Sequence, residues 1–120
     1  MAARDSLAKL SPEAFRDRLD VSRENMDRLT LYAGCLERWR RRINLVGAAS
    51  MADLWRRHML DSAQLLRHLP ASSGALIDLG SGAGFPGLVL AILSGRRVHL
   101  VEADSRKAAF LRECARLTAA

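Results

Sequence analysis

The chain has 120 residues, of which 49% are hydrophobic. That length predicts a single domain, and the composition excludes overall disorder. No apolar stretch reaches the roughly 18 residues needed to cross a bilayer, and the charged first twenty residues predict no signal peptide. The net charge is +6, nearly all from arginine, since Lys9 and Lys107 are the only lysines. A basic balance suits a polyanion such as nucleic acid and equally an arginine-rich solvated surface.

Ser11-Pro12-Glu13 predicts a helix start, with Ser11 as cap and Pro12 at the first helical position. This short helix ends near Leu19–Val21. Ser22 offers a second cap, and Met26, Leu29, Ala33, Leu36, Trp39 and Ile43 then recur at helical spacing. Arg28, Arg38, Arg41 and Arg42 occupy the other face. Gly47 breaks the chain in a loop around residues 44–49. Ser50-Met51-Ala52-Asp53 resembles a capping box. It predicts a third helix that buries Leu54, Trp55, Met59, Leu65, Leu66 and Leu69 and stops at Pro70. The small-residue turn that follows marks a seam, giving a helical region over residues 1–72 and a different unit over 73–120.

Residues 75–79 form a short apolar run that predicts a buried strand. A helix starting at Pro86 or Gly87 runs through Leu93. Residues 98–101 predict a second buried strand, ending at Glu102. Ser105 is the predicted cap of a last helix to about Leu117, with Ala108, Leu111, Cys114 and Ala115 inward. Strand, helix, strand, helix at these lengths is a βαβα unit of an α/β fold with parallel strands. Cys35 and Cys114 lie far apart without metal-ligand spacing, which predicts buried free thiols in a reducing cytoplasm.

The stretch "LIDLGSGAGFPGLVLAI" (76–92) places Gly80, Gly82, Gly84 and Gly87 within eight residues, just after Asp78. Glycines between a strand and a helix permit a tight turn and let a ligand approach bare backbone. Glu102 ends the next strand, about twenty residues on, where a carboxylate grips a ribose. The stretch therefore reads as half of an adenosine-cofactor site. "GAGFPG" also matches the dinucleotide pattern G-x-G-x-x-G, which leaves a nicotinamide-dependent oxidoreductase open. Against it, the glycines begin earlier, at Gly80, and the Asp78 carboxylate would repel a pyrophosphate. A cationic ligand such as S-adenosylmethionine suits that charge. The plainer role of Asp78 is a turn-capping aspartate.

"NLVGAASMADLWRRHMLDSAQLL" (44–66), the glycine stretch and "VEADSRKAAFLRE" (101–113) together resemble the bacterial glucose-inhibited-division protein B family. These are small-subunit (16S) ribosomal RNA guanine-N7 methyltransferases, also called RsmG. The resemblance runs from about residue 22 to the end. It implies N-terminal helices followed by the first βαβα unit of a class I, Rossmann-like fold. It implies S-adenosylmethionine as cofactor, held by Gly80, Gly82, Gly84, Phe85 and Glu102, with Asp78 beside it. Phe85 stands where the family often has leucine. The implied partner is 16S rRNA or the small ribosomal subunit, with no membrane and a monomer at full length.

Family members have about seven strands, and this chain supplies two. Two parallel strands cannot bury both faces, so the expectation is the first part of a longer protein. A non-catalytic RNA- or ribosome-binding fragment is the competing reading of the chain as given. Methylation at N7 needs no catalytic acid or base, and none is predicted. Arg38, Arg40, Arg41, Arg42, Arg56 and Arg57 are candidates for phosphate contacts, or a solvated helix face. His58, Asp61 and Ser62 share a helix face. They predict a polar cluster tying this helix to the cofactor domain rather than a hydrolase triad, which needs a serine at a sharp turn.

Overall fold

The structure is a computed structural model that describes residues 9–71 and 74–120. The predicted seam at Ser72–Ser73 lies outside the described residues, as do the first eight. Helix α1 (Pro12–Leu19) starts as expected, with Ser11 Oγ accepting from the Ala14 amide at 3.1 Å. Helix α2 (Arg23–Trp39) is capped by Ser22, whose Oγ accepts from the Asn25 amide at 3.2 Å. Its inward stripe is Met26, Leu29, Tyr32, Cys35 and Leu36. Ala33 and Trp39, placed on that stripe from the spacing, are half-buried.

The third helix differs from the expectation. A short α3 (Ala48–Met51) is capped by Gly47, and the hydroxyl of Ser50 donates to the Gly47 carbonyl instead of capping. Asp53 closes no capping box, because its Oδ1 accepts from the Leu10 amide at 3.2 Å. After a turn comes a π-helical segment, Trp55–Leu60. Then follow one α-turn, α4 (Asp61–Ala63), and a 3-10 segment, Gln64–His68. A π turn takes in an additional residue, which shifts the inward phase. Ser62 and Ala63 are thereby buried, and Leu65, expected in the core, is 41% exposed.

Strands β1 (Leu76–Leu79) and β2 (Val98–Val101) pair in parallel, with Leu76 opposite Val98 and Leu79 opposite Val101. Helix α5 (Gly87–Ser94) makes the crossover. It lies between the sheet and the helical front, and five of its eight residues are buried. A helix apolar all round is one covered on more than one side. Helix α6 (Ser105–Thr118) packs along α2. Its cap is Asp104 rather than Ser105: Asp104 Oδ1 accepts from the Arg106 and Lys107 amides at 2.9 and 3.1 Å. Leu111 and Cys114 face inward as predicted, with Phe110 and Thr118 in addition, while Ala108 and Ala115 are half-buried.

Side chains from the helical front and from the βαβα unit share one core, from Phe15 through Leu29, Tyr32 and Met59 to Leu88, Val89 and Phe110. Cys35 and Cys114 are free thiols in that core. The other face of the sheet carries Ile77 and Leu79, 67% and 77% exposed, and Val101, 48% exposed. The strands are thus covered on one side, where Leu100 packs against the core. Among the described residues, no helix is long and apolar enough to cross a membrane.

Candidate functional site

The parallel register brings the carboxyl ends of β1 and β2 side by side, because Leu79 pairs with Val101. The glycine loop leaves from one end and Glu102 follows the other. The amides of Gly80 and Ser81 both donate to the Val101 carbonyl, at 2.8 and 3.1 Å. The loop then turns through positive φ at Gly80, Gly82 and Gly84, which L side chains rarely adopt.

Gly84 and Gly87 are demanded by space as well. A Cβ on Gly84 would come 2.7 Å from Tyr32 Oη and 3.2 Å from Leu111 Cδ2. A Cβ on Gly87 would come 2.5 Å from Leu100 Cδ2 and 2.6 Å from Asp78 Oδ2. At Gly80, by contrast, a Cβ meets nothing within 4 Å, so bare backbone there faces open space.

Two carboxylates hold the loop. Asp78 Oδ2 accepts from the Gly87 amide at 3.1 Å, satisfying a donor at the start of α5. Asp78 therefore has the turn-capping role, and its charge stays beside the loop. Ser81, buried to 2% exposure, donates its hydroxyl to the Asp78 carbonyl at 2.9 Å. Glu102 Oε1 accepts from the Gly82 amide at 2.7 Å, and Oε2 from the Asp104 amide at 2.9 Å. The Asp104 amide, then the Gly82 amide, hold the Glu102 carboxyl below the ordinary carboxylate range.

The helical front holds the loop from the other side. The fully buried Tyr32 donates its hydroxyl to the Ala83 carbonyl. Burial keeps that phenol protonated, with its pKa pushed up. Phe85 is half-buried, its ring 5.3 Å from that of Tyr32. On its other contact, Phe85 stacks on His58, centroids 4.7 Å apart and planes 21° apart. His58 is tied to the loop by its ring, and its Nε2 is buried without a hydrogen-bond partner among the described residues. Burial and then Arg57 lower the His58 pKa, so the imidazole is neutral near pH 7. Asp61 is exposed and Ser62 buried, and Nε2 relays no proton between them.

The structure thus brings Asp78, Gly80, Gly82, Gly84, Phe85 and Glu102 into one loop site. Sequence reasoning missed Tyr32, whose one available signal was a tyrosine beside the apolar stripe. The arginines lie elsewhere. Arg38 and Arg42 are exposed and line a cleft of about 190 Å³ with Trp39. Trp39 itself packs edge-on against Phe110 at 5.8 Å. Arg40 forms two hydrogen bonds to Glu37, and Arg41, 76% exposed, stands 3.8 Å from the same carboxylate. Arg56 pairs with Asp53 at 3.9 Å, and Arg57 is exposed. Among the described residues, no group of three or more His, Cys, Asp or Glu side chains is arranged to hold a metal ion.

The family model described as GidB, rRNA small subunit methyltransferase G, matches residues 25–119. Curated relatives carry the name ribosomal RNA small subunit methyltransferase G. That of Rhodospirillum rubrum is 62% identical over 91% of this chain and 54% of its own length. That of Paramagnetospirillum magneticum is 57% identical over 91% of this chain and 53% of its own. That of Parvibaculum lavamentivorans is 54% identical over 90% of this chain and 50% of its own. The chain spans about half the length of these relatives. Matched along most of its residues, and at such identities, the chain belongs to the rRNA small subunit methyltransferase G family.

Proposed function

We propose that this chain forms the cofactor-binding front of an S-adenosylmethionine-dependent methyltransferase that acts on N7 of a guanine in 16S rRNA. Residues 1–72 are its helical region and residues 73–120 begin a class I, Rossmann-like domain. The carrying observation is the bond from the Gly82 amide to Glu102 Oε1, which locks the glycine loop to the carboxylate at the adjacent strand end. The relatives' names support an rRNA substrate.

The residues fit the proposed cofactor. A carboxylate has about four lone-pair sites. Glu102 uses one on each oxygen for backbone amides, leaving one on each for a ribose diol. Gly80 leaves the loop backbone open to the methionine part. The negative charge of Asp78 suits a sulfonium and an ammonium and opposes a pyrophosphate. Phe85 supplies an apolar wall. When bound, S-adenosylmethionine supplies an electrophilic methyl group on a neutral-leaving thioether.

The chain's own work is then positioning and the exclusion of water. Guanine N7 has a free lone pair and no proton to lose, so no general base is required. N7 lies in the deep groove of A-form RNA, so the target base sits in a loop or is turned out of its stack. Arg38, Arg41, Arg42, Arg56 and Arg57 contact phosphates and steer the RNA. The enzyme works as a cytoplasmic monomer on rRNA or the small subunit.

The test is calorimetry of the full-length protein with S-adenosylmethionine and, separately, NAD. Methyl transfer to small ribosomal subunits follows, with N7-methylguanine located by borohydride–aniline strand scission. Heat with S-adenosylmethionine and a new scission site are expected. Heat with NAD alone would make the protein a dinucleotide enzyme. Salt-dependent RNA binding with no cofactor heat would make it a non-catalytic RNA binder.

A further inference from the structure

Three features meet at His58. Its ring lies nearly parallel to Phe85, within the glycine loop, at 4.7 Å. It sits on the π-helical turn Trp55–Leu60, a conformation that is rare and recurs at functional sites. Its Nε2 is buried and makes no hydrogen bond among the described residues. Buried polar atoms are nearly always paired, so this nitrogen does not explain why the side chain is there. What His58 gives the fold is a flat, neutral face against Phe85. Tyr32 touches the same phenyl ring at 5.3 Å and donates to Ala83 two residues earlier. Residues 83–85 are therefore gripped by the helical front at two points, by a hydrogen bond and by a stack.

We infer that His58 is a positioning residue for the donor loop: by stacking on Phe85 it sets the path of residues 83–85, and so the shape of the adenosyl site. This rests on the assignment of the loop to S-adenosylmethionine. The same π turn carries Arg57, which is exposed, so one element both seats the loop and presents a cation to solvent. The π turn is what allows this, since it departs from the regular α-helical phase that the flanking sequence predicts.

The experiment compares the full-length parent with His58→Ala and His58→Phe. It reads amide exchange over residues 80–88 without ligand, and the affinity for S-adenosylhomocysteine by calorimetry. His58→Ala is expected to speed exchange of the loop amides about tenfold, as for a local opening made easier. Its affinity should fall about tenfold, the size of one modest contact set. His58→Phe keeps a flat ring and should stay within about twofold of the parent in both.

Unchanged loop exchange in His58→Ala overturns the inference. So does a His58→Phe protein with a parental loop and lost affinity, which would make Nε2 a direct ligand contact. A parent that binds no S-adenosylhomocysteine overturns the donor assignment, and the ligand-free exchange comparison still decides the role of His58. If His58→Ala does not fold, Phe85→Leu decides: removing the other ring of the stack should speed exchange of the loop amides about tenfold, and unchanged exchange in Phe85→Leu overturns the inference.

Discussion

The hydroxyl of Tyr32, in the middle of α2, donates to the carbonyl of Ala83, fifty-one residues later in the glycine loop. Both partners are buried. The same oxygen stands 2.7 Å from where a Cβ on Gly84 would lie. The helix of the front and the loop of the strand unit are therefore shaped to each other at one point. Tyr32→Phe should cost about 1–3 kcal/mol by leaving the buried carbonyl unpaired. Gly84→Ala should cost more than about 1 kcal/mol, from positive φ and the clash together. In the double variant the cost of Gly84→Ala should shrink, because its nearest obstacle is gone. Urea denaturation of the four proteins checks this, and strict additivity would refute the contact.

Glu102 is fixed from two sides, by Gly82 and Asp104. Glu102→Gln replaces one acceptor oxygen by a donor that faces an amide, so one of the two bonds is lost. Affinity for the adenosyl donor should fall at least about tenfold, near the worth of one hydrogen bond to a charged group. Glu102→Asp should also fail, since a side chain one methylene shorter cannot reach both amides. Because the folded carboxyl is held below its ordinary 4.5, its contribution is complete above that value. It is lost as pH falls through the lower, folded value. The part of the donor affinity that Glu102 supplies should accordingly be flat between about pH 7 and 5. A titration with a midpoint well above 4.5 would contradict the geometry.

The histidine on the π turn gives the same sign at a higher pH, because its folded pKa is lowered too. Burial and Arg57 lower the His58 pKa from its ordinary 6.5, with Asp61 opposing them. The unfolded chain then binds a proton more readily than the folded one. Stability should fall as pH drops below about 6.5, and the loss should stop below the folded pKa. His58→Phe should remove this part of the pH dependence. Melting temperatures at pH 7.5 and 5.5 measure it, and an unchanged difference between the two proteins would place the effect elsewhere.

Much of this was legible in the sequence because it is local. Ser11-Pro12, Ser22 and the apolar spacing after it announce their helices from chemistry within a few residues. The glycine loop and Glu102 are legible because parallel strands of equal length must end together. The third helix was not legible. A π turn depends on what packs against Trp55 and Met59, and its extra residue exchanges Leu65 for Ser62 and Ala63 at the inward positions. Asp53 likewise went to the Leu10 amide, forty-three residues away, which no local motif encodes. The role of Tyr32 is hidden in the sequence for the same reason: its partner, Ala83, lies beyond any helical spacing. The stack of His58 on Phe85 joins two motifs that the sequence shows only separately.

Ile77, Leu79 and Val101 make an exposed apolar strip on the uncovered face of the sheet. Paired strands with such a face and free edges associate readily. Residues 1–120 expressed alone should self-associate at micromolar concentration, and Ile77→Thr with Leu79→Thr should shift them toward monomer in sedimentation. The same pair of changes in the full-length protein should be destabilising, if the strip is covered there. A soluble monomeric fragment with the strip intact would show that this face needs no cover.

The arginines divide by their surroundings. Arg40 is engaged with Glu37, whereas Arg38 and Arg42 are exposed beside the half-buried Trp39. Replacing Arg38 and Arg42 by Gln should weaken RNA binding nearly equally for all sequences. If each meets one phosphate of single-stranded RNA, the slope of log affinity against log salt should flatten by about 0.7 per residue. Arg40→Gln should leave the slope unchanged and instead free the Glu37 carboxylate, whose pKa the Arg40 hydrogen bond holds down. Filter binding between about 50 and 200 mM salt separates the two cases. A slope unaltered by the Arg38 and Arg42 changes would move the RNA path to another face, with Arg57 on the π turn the next position to vary.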